Sequence, residues 1–360
     1  MINRYFLIMC VLIMGCKEDD KLILSSVVLL HEQDSVILFG DLSNMVAYNE
    51  MMYAKDFSSE MIYSIPLDNG NVTNCVVKNI PWDSVYNHFK TKYNNQVNFK
   101  YAEFDDNQKM FTNGLTCKDV TCIKVLHDTM YAGAYITVVT DSFLNVSNSG
   151  SIYNDTYYLS IPFIVRYSIK DSKLYYIDIV DFDFPLNQID RINLYSFQFI
   201  GDKMITLSNS KDEMLIEFNK THDNMLFSEQ IIPKTQIYIE DNYFIPLVKD
   251  DSTDKFAYGN MVFDKDLNVQ LDLTSKLKQL KILQGHIVAL QFTERTNIII
   301  YVDHSLENKY YFLYRKTEQD EWKLIPNINI NPMSCVFKGN KLYSILSKED
   351  KYELNVYQIN

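Results

Sequence analysis

The chain has 360 residues, 47% of them apolar, and a formal charge of −12 at pH 7. That apolar fraction is ample for a packed core and excludes disorder over most of the length. The balance of 46 Asp and Glu against 34 Lys and Arg excludes long-range attraction to nucleic acid or to anionic headgroups, so no nucleic-acid partner is expected.

The N-terminus, Met1-Ile2-Asn3-Arg4, puts a positive charge ahead of the apolar run Tyr5 to Met14, which is followed by Gly15-Cys16. These are the parts of a secretory signal, and the run is shorter than the roughly 20 apolar residues needed to span a bilayer. Ile13-Met14-Gly15-Cys16 resembles the lipobox of bacterial lipoproteins. The resemblance implies removal of residues 1–15 and attachment of a diacylglyceryl group to Cys16, which makes the membrane a partner through that lipid. Residues 16–26 then read as the lipidated cysteine and an acidic tether. Within it, Lys17-Glu18-Asp19-Asp20-Lys21 is similar to the export signal of surface lipoproteins in Bacteroidota, which implies an outer-membrane, lipid-anchored protein displayed at the cell surface.

Residues 27–360 are predicted as one all-β domain. Val27 to Leu30, Ser35 to Phe39, Ile136 to Val139, Ile298 to Val302 and Tyr310 to Tyr314 are short, β-branched or aromatic, and bounded by polar turn residues, as strands are. A helix is predicted over Trp82 to Tyr93, following Pro81, and a second, shorter one over Leu273 to Leu280. Along the chain an apolar strand, a tight polar turn and a second apolar strand recur, with turns starting at Asn49, His127, Gly201, Asp241, Gln284 and Gly339. Gly, Asn and Asp suit these turns because hairpins need positive φ. The starts are separated by 78, 74, 40, 43 and 55 residues, against roughly 40 to 50 for a propeller blade. The two long intervals hold the predicted helix and the polar stretch Asn145 to Ser151. The expected fold is therefore a β-propeller of six blades, or seven if Val97 to Lys124 forms its own sheet. The chain ends three strands into a blade, so N-to-C strand closure is expected, with the fourth strand drawn from near Val36. This rhythm, together with the lipobox, resembles Bacteroidota lipoproteins with a six-bladed, TolB-like β-propeller of uncharacterised function. Ten glycines are few for a propeller, and no Trp-Asp repeat signature is present.

Cys75, Cys117, Cys122 and Cys335 remain after the signal and Cys16 are set aside. In an exported protein, Cys117 and Cys122 are a possible disulfide, while buried thiols are the simpler reading for Cys75 and Cys335. No metal site is predicted. Asp264-Lys265-Asp266-Leu267-Asn268 copies the start of a calcium loop, but neither Val269 nor Gln270 after it is the glycine the loop needs and Ser275 stands where the glutamate belongs, so a hairpin turn is expected. No nucleophile elbow, zinc-protease motif, phosphate loop or dinucleotide fingerprint occurs, and no cofactor is called for. All six histidines are isolated in sequence. The catalytic candidates are Asp181 and Asp183, on one face of an extended segment, which suit a cation or the acid/base pair of glycoside hydrolysis. The absence of catalytic motifs favours a non-enzymatic binding or scaffold module for a glycan, peptide or envelope-protein partner. The alternative is a surface glycan hydrolase or lyase, and whether the protein is an enzyme is left open.

Overall fold

Four of the six expected turns begin on a residue in the left-handed backbone region: Asn49 (φ 50°), His127 (φ 56°), Gly201 (φ 57°) and Gly339 (φ 58°). Side chains with a Cβ rarely enter this region, and glycine and asparagine do so most readily, so such turns are encoded locally. The computed structural model describes residues 22–359 apart from 30, 33–41, 57–60, 68–70, 77–79, 94–98, 102–117, 141–151, 154–155, 210–212, 222–223, 234–244, 251, 283, 295, 305–308, 327–329, 332–333 and 349–350.

Strands β1 (Leu22–Leu29) and β2 (His31–Glu32) precede the first antiparallel meander, β3 (Leu42–Tyr48), β4 (Met51–Asp56), β5 (Met61–Pro66) and β6 (Asn71–Val76). Helix α1 (Trp82–Tyr93) follows, burying Val85, Phe89 and Tyr93 at a spacing of one turn. After β7 (Phe99–Tyr101), the second meander consists of β8 (Lys118–Leu126), β9 (Thr129–Thr140), β11 (Thr156–Lys170) and β12 (Lys173–Asp183), with the short β10 (Ile152–Tyr153) paired to β11. The third is β13 (Ile192–Ile200), β14 (Lys203–Ser208), β15 (Glu213–Lys220) and β16 (Asn224–Pro233). The fourth is β17 (Val248–Lys249), β18 (Phe256–Tyr258), β19 (Met261–Phe263) and β20 (Val269–Asp272), followed by helix α2 (Thr274–Gln279). The fifth is β21 (Gly285–Phe292), β22 (Asn297–Asp303), β23 (Lys309–Arg315) and β24 (Lys323–Pro326). The sixth begins with β25 (Cys335–Lys338), β26 (Lys341–Lys348) and β27 (Lys351–Ile359), and its fourth strand is β1, which pairs antiparallel with β27 from Leu22↔Ile359 to Leu29↔Glu353.

Successive meanders pack through apolar clusters, and the second and third are also joined edge to edge, where β12 pairs parallel with β16 from Asp181↔Asn224 to Asp183↔Leu226. One cluster joins the first three meanders and α1 around Phe163, Phe182 and Phe197. Others join the third to the fourth, the fourth to the fifth, the fifth to the sixth, and the sixth back to the first. The first strands of neighbouring meanders also touch: β3 with β8, β8 with β13, β17 with β21, β21 with β25, and β25 with β3. Between the third and fourth meanders, Leu247 N donates to Ser196 Oγ at 2.7 Å and Gln198 Nε2 donates to Leu247 O at 2.9 Å. The architecture is thus a closed, propeller-like ring of β-meanders.

Several expectations change. Closure runs from N to C, but through β1 and not through a strand near Val36, which lies outside the described residues; the unpaired edge of β27 accepts the first described strand of the chain. β1 also takes in residues 22–26, read from sequence as tether. The segment from residue 97 to 124 adds no separate sheet among the described residues, because β7 and β8 both pair with β9. The turn expected at Asp241 lies outside the described residues, as does the whole stretch Asn145 to Ser151, and the first hairpin of the fourth meander turns between Lys249 and Phe256. Gln284-Gly285 is not a turn: Gly285 opens β21, where a Cβ would meet Val302 O at 1.8 Å and a Tyr301 ring carbon at 2.7 Å. Here the glycine serves a close approach of two strands.

That register brings together two histidines that are 18 positions apart. His304 Nε2 lies 3.1 Å from His286 Nδ1. Burial, and then the proximity of His304, push the His286 imidazole down to about 3.

Two outcomes are expected. Gly285→Ala should destabilise the protein to urea by about 2–3 kcal/mol through overpacking, against about 1 kcal/mol for Gly339→Ala, where only the positive φ is penalised and nothing lies within 4 Å; equal losses would refute the close-approach role. His286 stays neutral in the fold and titrates near 6.5 when unfolded, so its stabilising neutrality is fully present above pH 6.5 and lost as pH falls toward 3. Stability should therefore decline by about 1 kcal/mol per pH unit across that window from this group, and urea titrations of His286→Gln should show that slope reduced.

Candidate functional site

A first strand of a meander is hydrogen-bonded on one side only, so its other edge offers backbone N–H and C=O groups. Around the ring axis these edges enclose a cavity of about 310 Å³, to which β3, β8, β13, β17, β21 and β25 all contribute. Its lining includes the apolar side chains of Met45, Val46, Phe199, Leu247, Val288 and Phe337, and its wall is divided almost evenly between polar and apolar surface. Four polar side chains with nitrogen groups join them: Lys124 and His127 from the end of β8 and its turn, Gln198 from β13, and Lys249 from β17. Gln198 is held by its bond to Leu247 O. Lys249 Nζ is 3.7 Å from Asp254 Oδ1, whose side chain is 57% exposed; a pair of this kind is worth little energetically and leaves the ammonium available. Cys335 also lines the cavity, and burial pushes its thiol up to about 12. It is therefore a protonated, weak nucleophile at neutral pH.

No carboxylate lines this cavity among the described residues. The arrangement suits holding a ligand by backbone edges, cationic groups and apolar contact, and it lacks the two flanking carboxylates that glycoside hydrolysis uses.

Asp181 and Asp183 lie elsewhere, at the end of β12, where this strand pairs with β16 of the third meander. Asp181 is buried. Its Oδ2 accepts from Lys92 Nζ at 2.7 Å and lies 3.1 Å from His88 Nε2, while Oδ1 accepts from Phe182 N at 2.7 Å. His88 and Lys92 are one turn apart on α1, so Asp181 fastens the helix to the sheet; Lys92 Nζ also donates to Phe182 O at 2.9 Å. Asp183 is exposed. Burial, followed by the charges of Asp181 and Asp183, pushes the Tyr93 hydroxyl far up. Cys122 is a buried thiol, pushed up chiefly by burial, and its possible disulfide partner Cys117 lies outside the described residues, as does Cys16. Asp264 spends its carboxylate on its own turn, accepting from Asp266 N and Asn268 N at 2.9 Å each and from Gln270 Nε2 at 2.8 Å.

Sequence reasoning missed Lys124, Gln198 and Lys249 as site residues. Each sits in a strand or hairpin with no local motif, and the only signal was their shared position near the end of a first strand.

No family model matches the chain, and no curated protein matches it. Among solved structures, it is similar to a Bacteroides fragilis protein assigned as exported, at 10% identity, over 95% of this chain and 98% of that one, with a TM-score of 0.50. It also matches a DUF4623 family protein of Bacteroides eggerthii at 10% identity, over 89% of this chain and 71% of that one, with a TM-score of 0.45. A sialidase of Trypanosoma rangeli matches at 12% identity, over 93% of this chain and 58% of that one, with a TM-score of 0.43. The first of these likenesses, running nearly end to end through both chains, is a likeness of fold.

Proposed function

We propose that this protein is a lipid-anchored, non-enzymatic binding module of the bacterial outer membrane, displayed at the cell surface, whose central cavity grips part of a glycan, peptide or protein partner. The six successive meanders are read as the six blades of a TolB-like propeller, with β1 and β27 closing the last one. The observation that carries the proposal is the axial cavity itself: six first strands contribute to it, Lys124 and Lys249 line it, and no carboxylate does so among the described residues. Anchoring at Cys16 rests on the lipobox and the charged segment after it, and export is in keeping with the fold shared with the Bacteroides fragilis protein. Among the described residues no helix is long and apolar enough to cross a membrane. A surface hydrolase would need two carboxylates across a cleft, whereas Asp181 is bound by Lys92 and His88 at the junction of the second and third meanders.

Labelled full-length chain applied to arrays of glycans and peptides should show discrete binding, weakened about a hundredfold or more in the double variant Lys124→Met, Lys249→Met, since each lost charged contact is worth roughly 1.5–3 kcal/mol. Binding at background level on every array, or binding unaltered by the double variant, refutes the cavity as the binding site. In cells fed labelled palmitate, the wild-type chain should carry label and sediment with membranes, while Cys16→Ser should lose both; a labelled Cys16→Ser protein would overturn the anchor.

A further inference from the structure

A second cavity, of about 270 Å³, opens at the seam of the second and third meanders and is lined by Tyr131, Arg166, Val180, Lys220, Thr221 and Met225. Lys220, the last residue of β15, places Nζ 5.4 Å from the centroids of both the Tyr131 and the Phe199 rings. Those rings meet edge to face at 4.6 Å. No carboxylate among the described residues forms an ion pair with Lys220, so aromatic faces hold this cation where an acid would ordinarily do so. Arg166, on β11, donates from Nε to Asp178 Oδ1 at 2.6 Å and from Nη2 to Asp178 Oδ2, and it also meets the Tyr131 hydroxyl. The bond to Asp178 takes one side of the guanidinium and leaves Nη1 outside that fork. Thr221, next to Lys220, donates from Oγ1 to Asn224 O at 2.5 Å and accepts there from Asn224 N at 3.0 Å.

With Arg166 neutralised by Asp178, the lining keeps one positive charge from Lys220, in a chain whose formal charge is −12. Its size is greater than a bare oxyanion fills and lies just under the roughly 300–1,000 Å³ of ordinary small-ligand pockets.

We infer that this seam pocket is an anion subsite, in which Lys220 holds the carboxylate or sulfate group of a ligand about the size of a monosaccharide, with Arg166 fixed beside it by Asp178 and Tyr131. The subsite adjoins the axial cavity, which Phe199 also lines, but its ligand does not depend on that cavity being a binding site.

Calorimetric titration of the full-length chain with sodium glucuronate, sodium sulfate and neutral glucose, at ionic strength held constant with sodium chloride, tests the inference. Glucuronate or sulfate should bind and glucose should not; the tighter of the two anions identifies the group the pocket takes. Lys220→Met keeps an apolar stem on both rings and should weaken anion binding about tenfold or more, roughly 1.4 kcal/mol, while Lys249→Met on the far side of the axial cavity should leave it unchanged. Absence of binding by both anions overturns the inference, as does equal affinity in Lys220→Met. Loss in Lys249→Met with retention in Lys220→Met would assign the anion to the axial cavity, overturning the seam subsite while leaving the proposed binding function in place.

Discussion

Along β22, Ile299 and Tyr301 enter the core shared with the fourth meander, while Ile298, Ile300 and Val302 enter the core shared with the sixth. The same division recurs in β4, where Met52 and Ala54 face the sixth meander and Tyr53 faces the second, and in β14, where Ile205 and Leu207 face the fourth and Met204 faces the second. Side chains alternate along any strand, and here both sets are buried, each against a different neighbour. A meander placed anywhere but in a ring would leave one of its two apolar faces in water, at a cost of about 1.5–3 kcal/mol for each large side chain exposed. Burial on both sides therefore demands closure, and closure produces the axial cavity.

This double burial explains why the fold was easier to read than its details. The run Ile298 to Val302 lacks the alternation of a half-exposed strand because neither face is exposed, and aromatic pairs such as Tyr310-Tyr311 divide between two cores. Helix α1 was legible because Pro81 precedes it and its apolar residues repeat every turn, and the turns at Asn49, His127, Gly201 and Gly339 were legible because their conformation is a local matter. Gly285 misled because the same residue type serves both a tight turn and a close approach, and only the position of Val302 distinguishes them. The fourth meander was harder, with strands of two to four residues that carry almost no periodicity. The choice of β1 as the closing strand depends on pairing between the two ends of the chain, which no local pattern records.

The candidate site was less legible for a related reason. Lys124, Gln198 and Lys249 belong to three different meanders and meet only because the ring carries their strands to one axis. Asp181 did stand out in the sequence, and the structure brings it partners, but these are His88 and Lys92, some ninety positions earlier on a helix. A carboxylate near two nitrogen bases has the ingredients of a reactive centre. Within the sheet, buried and bonded on both oxygens, the same ingredients act as a fastener between a helix and a sheet.

The pairing of Leu22 with Ile359 has a kinetic consequence. Ring closure joins residues at the two extremes of the described chain, the most non-local contact available to it, and loop-closure entropy makes such contacts the slowest to form. Until that joint forms, the sixth meander lacks its outer strand and β27 keeps a bare edge, the kind of surface on which chains aggregate. The same joint is the natural point of first opening, because releasing β1 frees an edge without first disrupting any other meander. The lifetime of the folded protein would then be set by one strand pair far more than by the mean strength of its cores.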